Sequence, residues 1–103
     1  MITIQDNDIS FLENEKSLSL FYFTASWCGP CKRIYPLIDK LSQGLDSSKI
    51  KIYKVDIDNN DEISEKYEIQ SVPTFVLMKD SEKIDSCSGA DIEKVRELLK
   101  KNL

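Results

Sequence analysis

Leu18-Ser-Leu-Phe-Tyr-Phe-Thr24 leads through Ala25 and Ser26 into Trp27-Cys28-Gly29-Pro30-Cys31-Lys32, and this junction decides the fold. The first half is a dense apolar and aromatic run, the pattern of a strand buried on both faces of a sheet. Beyond the second half, apolar residues recur at Ile34, Leu37, Ile38 and Leu41, offsets of 3, 4 and 7 that predict an amphipathic helix stopped near Gly44. Pro36 lies inside that helix, where it removes a backbone donor and predicts a kink. A buried strand therefore hands over to a helix across a Cys-x-x-Cys segment.

The rest of the chain extends this unit in both directions. Ile2 to Ile4 alternates like an edge strand, and Asp6 is placed to cap a brief helix carrying Ile9, Phe11 and Leu12 inward. Ile50-Lys-Ile-Tyr-Lys-Val55 alternates as a further strand, and Asp58-Asn-Asn-Asp61 offers caps for a short helix through Tyr67. Thr74-Phe-Val-Leu-Met78 and Lys83-Ile-Asp-Ser-Cys87 flank Lys79-Asp-Ser-Glu82, the signature of a hairpin that Gly89 ends. The last segment, Asp91 to Leu103, starts on a capping aspartate, turns Ile92, Val95, Leu98 and Leu99 to one face and ends among lysines that suit the helix dipole. Five strands and four helices, parallel first and antiparallel last, predict a mixed three-layer α/β sandwich. No repeat, low-complexity tract or linker interrupts residues 1–103, so the expectation is one domain.

Composition narrows the chemistry. The chain of 103 residues contains no histidine, which excludes Ser-His-Asp and Cys-His nucleophilic sites and histidine switches. With only Cys28, Cys31 and Cys87, a closed four-cysteine zinc site is impossible within one chain, and no metal is expected. Fourteen basic against eighteen acidic residues give a net charge of −4, the wrong sign for tracking a phosphate backbone, so nucleic acid is not an expected partner. The first sixteen residues have neither a basic n-region nor an apolar h-region, and no apolar run approaches the ~20 residues a bilayer-spanning helix needs. The expectation is a soluble, unprocessed, monomeric protein of the cytoplasm, whose three cysteines suit a reducing compartment.

Cysteines three apart across a first helical turn share a face, with Cβ atoms ~5 to 6 Å apart, so slight tightening brings them within disulfide reach. Cys28 falls at the helix N-terminus, where unpaired N–H groups and the positive dipole end favour a thiolate. That makes Cys28 the attacking sulfur, and Cys31, one turn further in, the resolving one. A purely structural bridge is the weaker reading, because so small a loop contributes roughly 2 kcal/mol against ~3 for a fifteen-residue one. Half of a zinc knuckle lacks its second pair.

These residues, with Phe23-Thr-Ala-Ser26, Pro36, Val55-Asp-Ile-Asp58, Val72-Pro-Thr-Phe75 and Ser88-Gly-Ala90, resemble the thioredoxin family over essentially the whole chain. The resemblance implies a cis peptide bond before Pro73, facing the cysteine pair. It implies that Val72 offers backbone groups to an extended substrate peptide by strand addition, while Trp27, Gly29, Pro30, Gly89 and Ala90 form the apolar rim around Cys28. It further implies a general protein-disulfide reductase with no bound cofactor, acting on disulfide-containing proteins and re-reduced by an NADPH-dependent thioredoxin reductase. Two other functions compete: an oxidase or isomerase of the protein disulfide isomerase type, whose relatives typically carry histidine where Pro30 stands, and a binding module acting without redox turnover.

Three positions depart from the family pattern. A buried aspartate six residues before the first cysteine is replaced by Tyr22, a far weaker base, leaving Lys54 without its carboxylate partner and free to bond Tyr22 or reach solvent. Resolution by Cys31 is then expected to be slower, or to rely on water, Lys54 or a nearby acid, unless Tyr22 simply packs. Ser81 stands at a hairpin position where glycine is usual, suggesting a turn without a left-handed residue. Cys87 follows no redox spacing and reads as a buried, inert thiol ahead of a regulatory or dimerising one.

Overall fold

A computed structural model describes all residues, 1–103. Its strands are β1 (Ile2–Ile4), β2 (Leu18–Thr24), β3 (Ile50–Asp56), β4 (Thr74–Lys79) and β5 (Glu82–Ser88); its α-helices are α1 (Gly29–Gly44), α2 (Asp61–Lys66) and α3 (Ile92–Asn102). The strands form one sheet in the order β1-β3-β2-β4-β5. β1, β3 and β2 run parallel, whereas β4 and β5 are antiparallel to their neighbours, as the alternation and the hairpin predict.

The aromatic run of β2 is at the centre because both its faces are buried. Leu20 and Tyr22 face α1 and α3, packing with Ile34, Ile38, Phe75 and Leu98. Phe21 and Phe23 face the opposite layer, packing with Leu12, Val55 and Ile63. Every residue from Ser19 to Ala25 is buried, which fixes where the chain leaves the sheet to enter α1. α1 runs for 16 residues with Pro36 inside it.

Two local expectations need correction. The brief N-terminal helix is a 3-10 helix, Ser10–Asn14, and Asp6 does not cap it, so of the four helices three are α and one is 3-10. Asp6 and Asn7 sit at φ 52° and 58° in a left-handed turn, and the Asp8 carboxylate takes both the Ser10 N–H (3.1 Å) and hydroxyl (2.7 Å). These side-chain bonds satisfy the segment locally and compete with a longer helix. Ser81 is left-handed after all, with φ 65° beside Asp80 at 52°. Positive φ at both positions is the type I′ form of a two-residue hairpin loop, whose twist matches the strands, and the Ser81 hydroxyl anchors it by donating to the Leu12 carbonyl (3.1 Å).

The Asp58–Asp61 segment does precede a helix, but the cap comes from elsewhere. Asn7 Oδ1 accepts the N–H groups of Glu62 (2.9 Å) and Ile63 (3.2 Å) at the start of α2. Asn60, fully buried, returns the contact by accepting the Asn7 N–H (2.9 Å) and donating to the Ile4 and Asp56 carbonyls. This exchange ties β1 to the end of β3, beside the cysteine pair.

A second polar tie sets an acid response. Glu15 accepts the Ser17 hydroxyl (2.6 Å) and N–H (3.0 Å) and pairs with Lys51 (3.1 Å). The Ser17 bonds, followed by Lys51, hold its carboxyl at about 2 instead of 4.5. A depressed carboxylate stabilises the fold fully above its unfolded pKa and ceases to as pH falls through the folded one, so this contribution drains away from about pH 4.5 to about 2. Glu15→Gln is expected to flatten the stability curve in that window in urea titrations; an unaltered slope would refute the assignment.

Candidate active site

α1 begins where β2 leaves the sheet, and Cys28 is its capping residue, with extended backbone at φ −85° and ψ 109°. Cys28 Sγ accepts the Cys31 N–H at 3.2 Å, one of the donors that a helix start leaves unpaired. Pro30 occupies the first turn, where its missing N–H costs nothing and its fixed φ suits the helix. Cys28 and Cys31, with Cα atoms 5.3 Å apart, are joined as a disulfide. Both are buried, in a small cluster with Ala25 against which Ile57 and Val72 pack.

The second wall comes from the loop before β4. The Val72–Pro73 bond is cis, Pro73 is buried, and the Val72 carbonyl oxygen lies 3.5 Å from Cys28 Sγ. Gly89, at the end of β5, donates its N–H to the Pro73 carbonyl (3.0 Å). Its φ of 100° is a conformation that residues with a Cβ rarely adopt, so glycine is required there. Gly29, Pro30, Gly89 and Ala90 are all exposed, and Trp27 is 65% exposed. The indole does not float free: its Nε1–H donates to Asp58 Oδ2 (3.0 Å), a partner sequence reading did not single out.

Beneath the pair, Tyr22 is fully buried, stacked on Phe75 with ring centroids 5.1 Å apart, and donates its hydroxyl to the Cys31 carbonyl (3.1 Å). Burial pushes its phenol up. Lys54, directly opposite Tyr22 in the sheet register, places its Nζ 5.0 Å from the Tyr35 ring centroid instead of bonding the phenol. Cys87 is a half-buried free thiol opposite Phe75, raised chiefly by burial.

A buried sulfur pair at a helix start, a cis-proline loop beside it and an exposed apolar rim together form a thiol–disulfide exchange site. The thioredoxin family model matches residues 2–101. The chain belongs to the thioredoxin family. It is 38% identical to thioredoxin of Bacillus subtilis strain 168, over the full length of both chains. Its fold is similar to reduced Schistosoma mansoni thioredoxin pre-protein at a TM-score of 0.90 and 41% identity, covering 99% of this chain and 97% of the other. Fasciola hepatica thioredoxin matches along the whole of both chains at a TM-score of 0.89 and 34% identity. The chain is a thiol–disulfide oxidoreductase, a protein-disulfide reductase with a redox-active Cys-x-x-Cys pair. No helix is long and apolar enough to cross a membrane.

Proposed function

We propose that residues 1–103 act as one monomeric, cytoplasmic domain that reduces disulfide-containing proteins with Cys28 as nucleophile and Cys31 as resolving thiol. The carrying observation is the capping position of Cys28, whose sulfur already accepts a helix N–H and sits at the positive end of α1. A substrate segment lies extended along Val72, exchanging main-chain hydrogen bonds, while Trp27, Gly29, Pro30, Pro73, Gly89 and Ala90 cover it. The Cys28 thiolate attacks one substrate sulfur, forming a mixed disulfide and releasing the other sulfur as a thiolate that takes up a proton. Cys31, deprotonated, then attacks Cys28 Sγ; the Cys28–Cys31 bond forms and the second substrate sulfur departs with its electron pair. The substrate gains two electrons and the protein loses two. An NADPH-dependent thioredoxin reductase restores the dithiol, and the domain itself binds no cofactor.

Direction is tested by the reduction potential. Equilibrating the protein with a glutathione couple should give a value near the ~−270 mV of thioredoxins and well below the ~−180 mV of protein disulfide isomerase. A value at the higher figure would overturn the reductant assignment in favour of an oxidase or isomerase.

A further inference from the structure

A buried resolving thiol must shed its proton before it attacks, because the thiolate is the nucleophile. Cys31 is only 2% exposed, and its apolar neighbours, Ala25, Ile57 and Val72, contain no side-chain base. One face of it, however, borders a cavity of about 240 Å³ that Tyr22, Lys32, Tyr35, Lys54 and Asp56 also line. At a liquid share of ~30 Å³ per molecule, that volume holds several waters. Lys32 and Tyr35 are exposed, so the cavity also opens to solvent.

The lining groups are chemically unequal. The Tyr22 hydroxyl is spent on the Cys31 carbonyl. Lysine ammoniums have donors and no acceptor, which removes Lys32 and Lys54 as proton acceptors. Asp56 is the one carboxylate on the cavity wall. It stands opposite Thr24 and two residues beyond Lys54 on β3, hence on the face that Tyr22 shares. Its Oδ1 accepts the Asp58 N–H (2.9 Å), leaving Oδ2 free to accept.

We infer that Asp56, reached through water in this cavity, accepts the proton of Cys31 during resolution, in place of an acid at position 22. The inference rests on the reading of Cys31 as the resolving thiol. In balanced form, the Cys31 S–H proton passes by way of water to the Asp56 carboxylate. The Cys31 thiolate then displaces the substrate sulfur from Cys28, and the departing thiolate is protonated from solvent or, by the reverse path, from Asp56. The charged and titratable groups facing Asp56 are Lys54 on its own strand, Tyr22 on β2, Lys32 and Tyr35 on α1, and Asp58 in the following loop. Asp58 is engaged instead by the Trp27 indole N–H.

The test mixes reduced protein with insulin, quenches with acid and an alkylating agent, and follows the Cys28 mixed disulfide by mass spectrometry across pH. Asp56→Asn, which keeps the acceptor for the Asp58 N–H, should form the mixed disulfide at the wild-type rate but resolve it on the order of 10²-fold more slowly near neutrality. That gap should narrow at alkaline pH, where the thiol ionises unaided, and Asp56→Glu should recover most of the rate. Unchanged resolution across pH in Asp56→Asn, or equal slowing in Lys54→Met, would overturn the role of Asp56. A mixed disulfide mapped to Cys31 in place of Cys28 would instead refute the order of the two cysteines, and this inference with it.

Discussion

Cys28→Ser should abolish insulin reduction in the presence of dithiothreitol to the uncatalysed background, because serine presents no thiolate to the incoming disulfide. Cys31→Ser should fail differently. Its Cys28 can still attack, so one substrate chain becomes attached per protein and stays there, since no second sulfur stands one helical turn away to displace it. The expected product is a stable covalent adduct of this protein with insulin, cleaved by excess dithiothreitol and mapped to Cys28 by peptide analysis. Serine at either position is nearly isosteric and both sites are small, so neither change should unfold the protein. Turnover surviving in Cys28→Ser, or an adduct mapped to Cys87, would overturn the assignment. Cys87 is unsuited to such a part: it is half-buried and its thiol is pushed up by that burial, which disfavours the reactive form.

The largest stability effect is expected at Tyr22. Its ring has no exposure and stacks on Phe75 with 9° between the ring planes, in the middle of the layer under α1 and α3. Tyr22→Ala should cost about 3–5 kcal/mol in urea unfolding, the range for emptying an aromatic site in a packed core. Tyr22→Phe keeps the ring and loses only the hydrogen bond to the Cys31 carbonyl, about 1 kcal/mol. Tyr22→Asp creates the same void and places a carboxylate in it. Burial raises a carboxylate's folded pKa, so the folded state retains a proton that the unfolded state has lost, and the variant should grow less stable as pH rises toward neutrality. A Tyr22→Ala protein within 1 kcal/mol of wild type would show that the ring is not structural.

What the sequence made legible follows from period and motif. The β2 run, the 3.6-residue spacing of α1 and the alternation of β3 each report burial directly, so sheet, layers and the position of the cysteines could be read in advance. Local turn chemistry could not be read, because it depends on distant partners. Ser81 tolerates a left-handed backbone with its hydroxyl bonded to Leu12, which lies far away in the chain. The cap of α2 is Asn7, more than fifty residues before it, so no local pattern of Asp58–Asp61 could disclose it. Asp6 resembled a helix cap because aspartate serves caps and left-handed turns equally well. Asp56 carried a usable signal: the alternation of β3 sets it on the same face as Lys54, opposite β2, but only the folded cavity joins that face to Cys31. The departure at Tyr22 was visible from the sequence, whereas its bond to the Cys31 carbonyl was not.

The two margins of the sheet differ from the segment at Val72. β1 is three residues long, and β5 is exposed along most of its length, carries Glu82, Lys83 and Asp85 and is irregular opposite Leu77 and Met78. Short, charged or bulged margins are poor templates for another strand. On the proposed reading, in which an extended substrate segment lies along Val72, the open backbone that accepts another strand is confined to one loop beside the Cys28 sulfur. High concentrations of the protein should accordingly remain free of fibres and edge-paired aggregates.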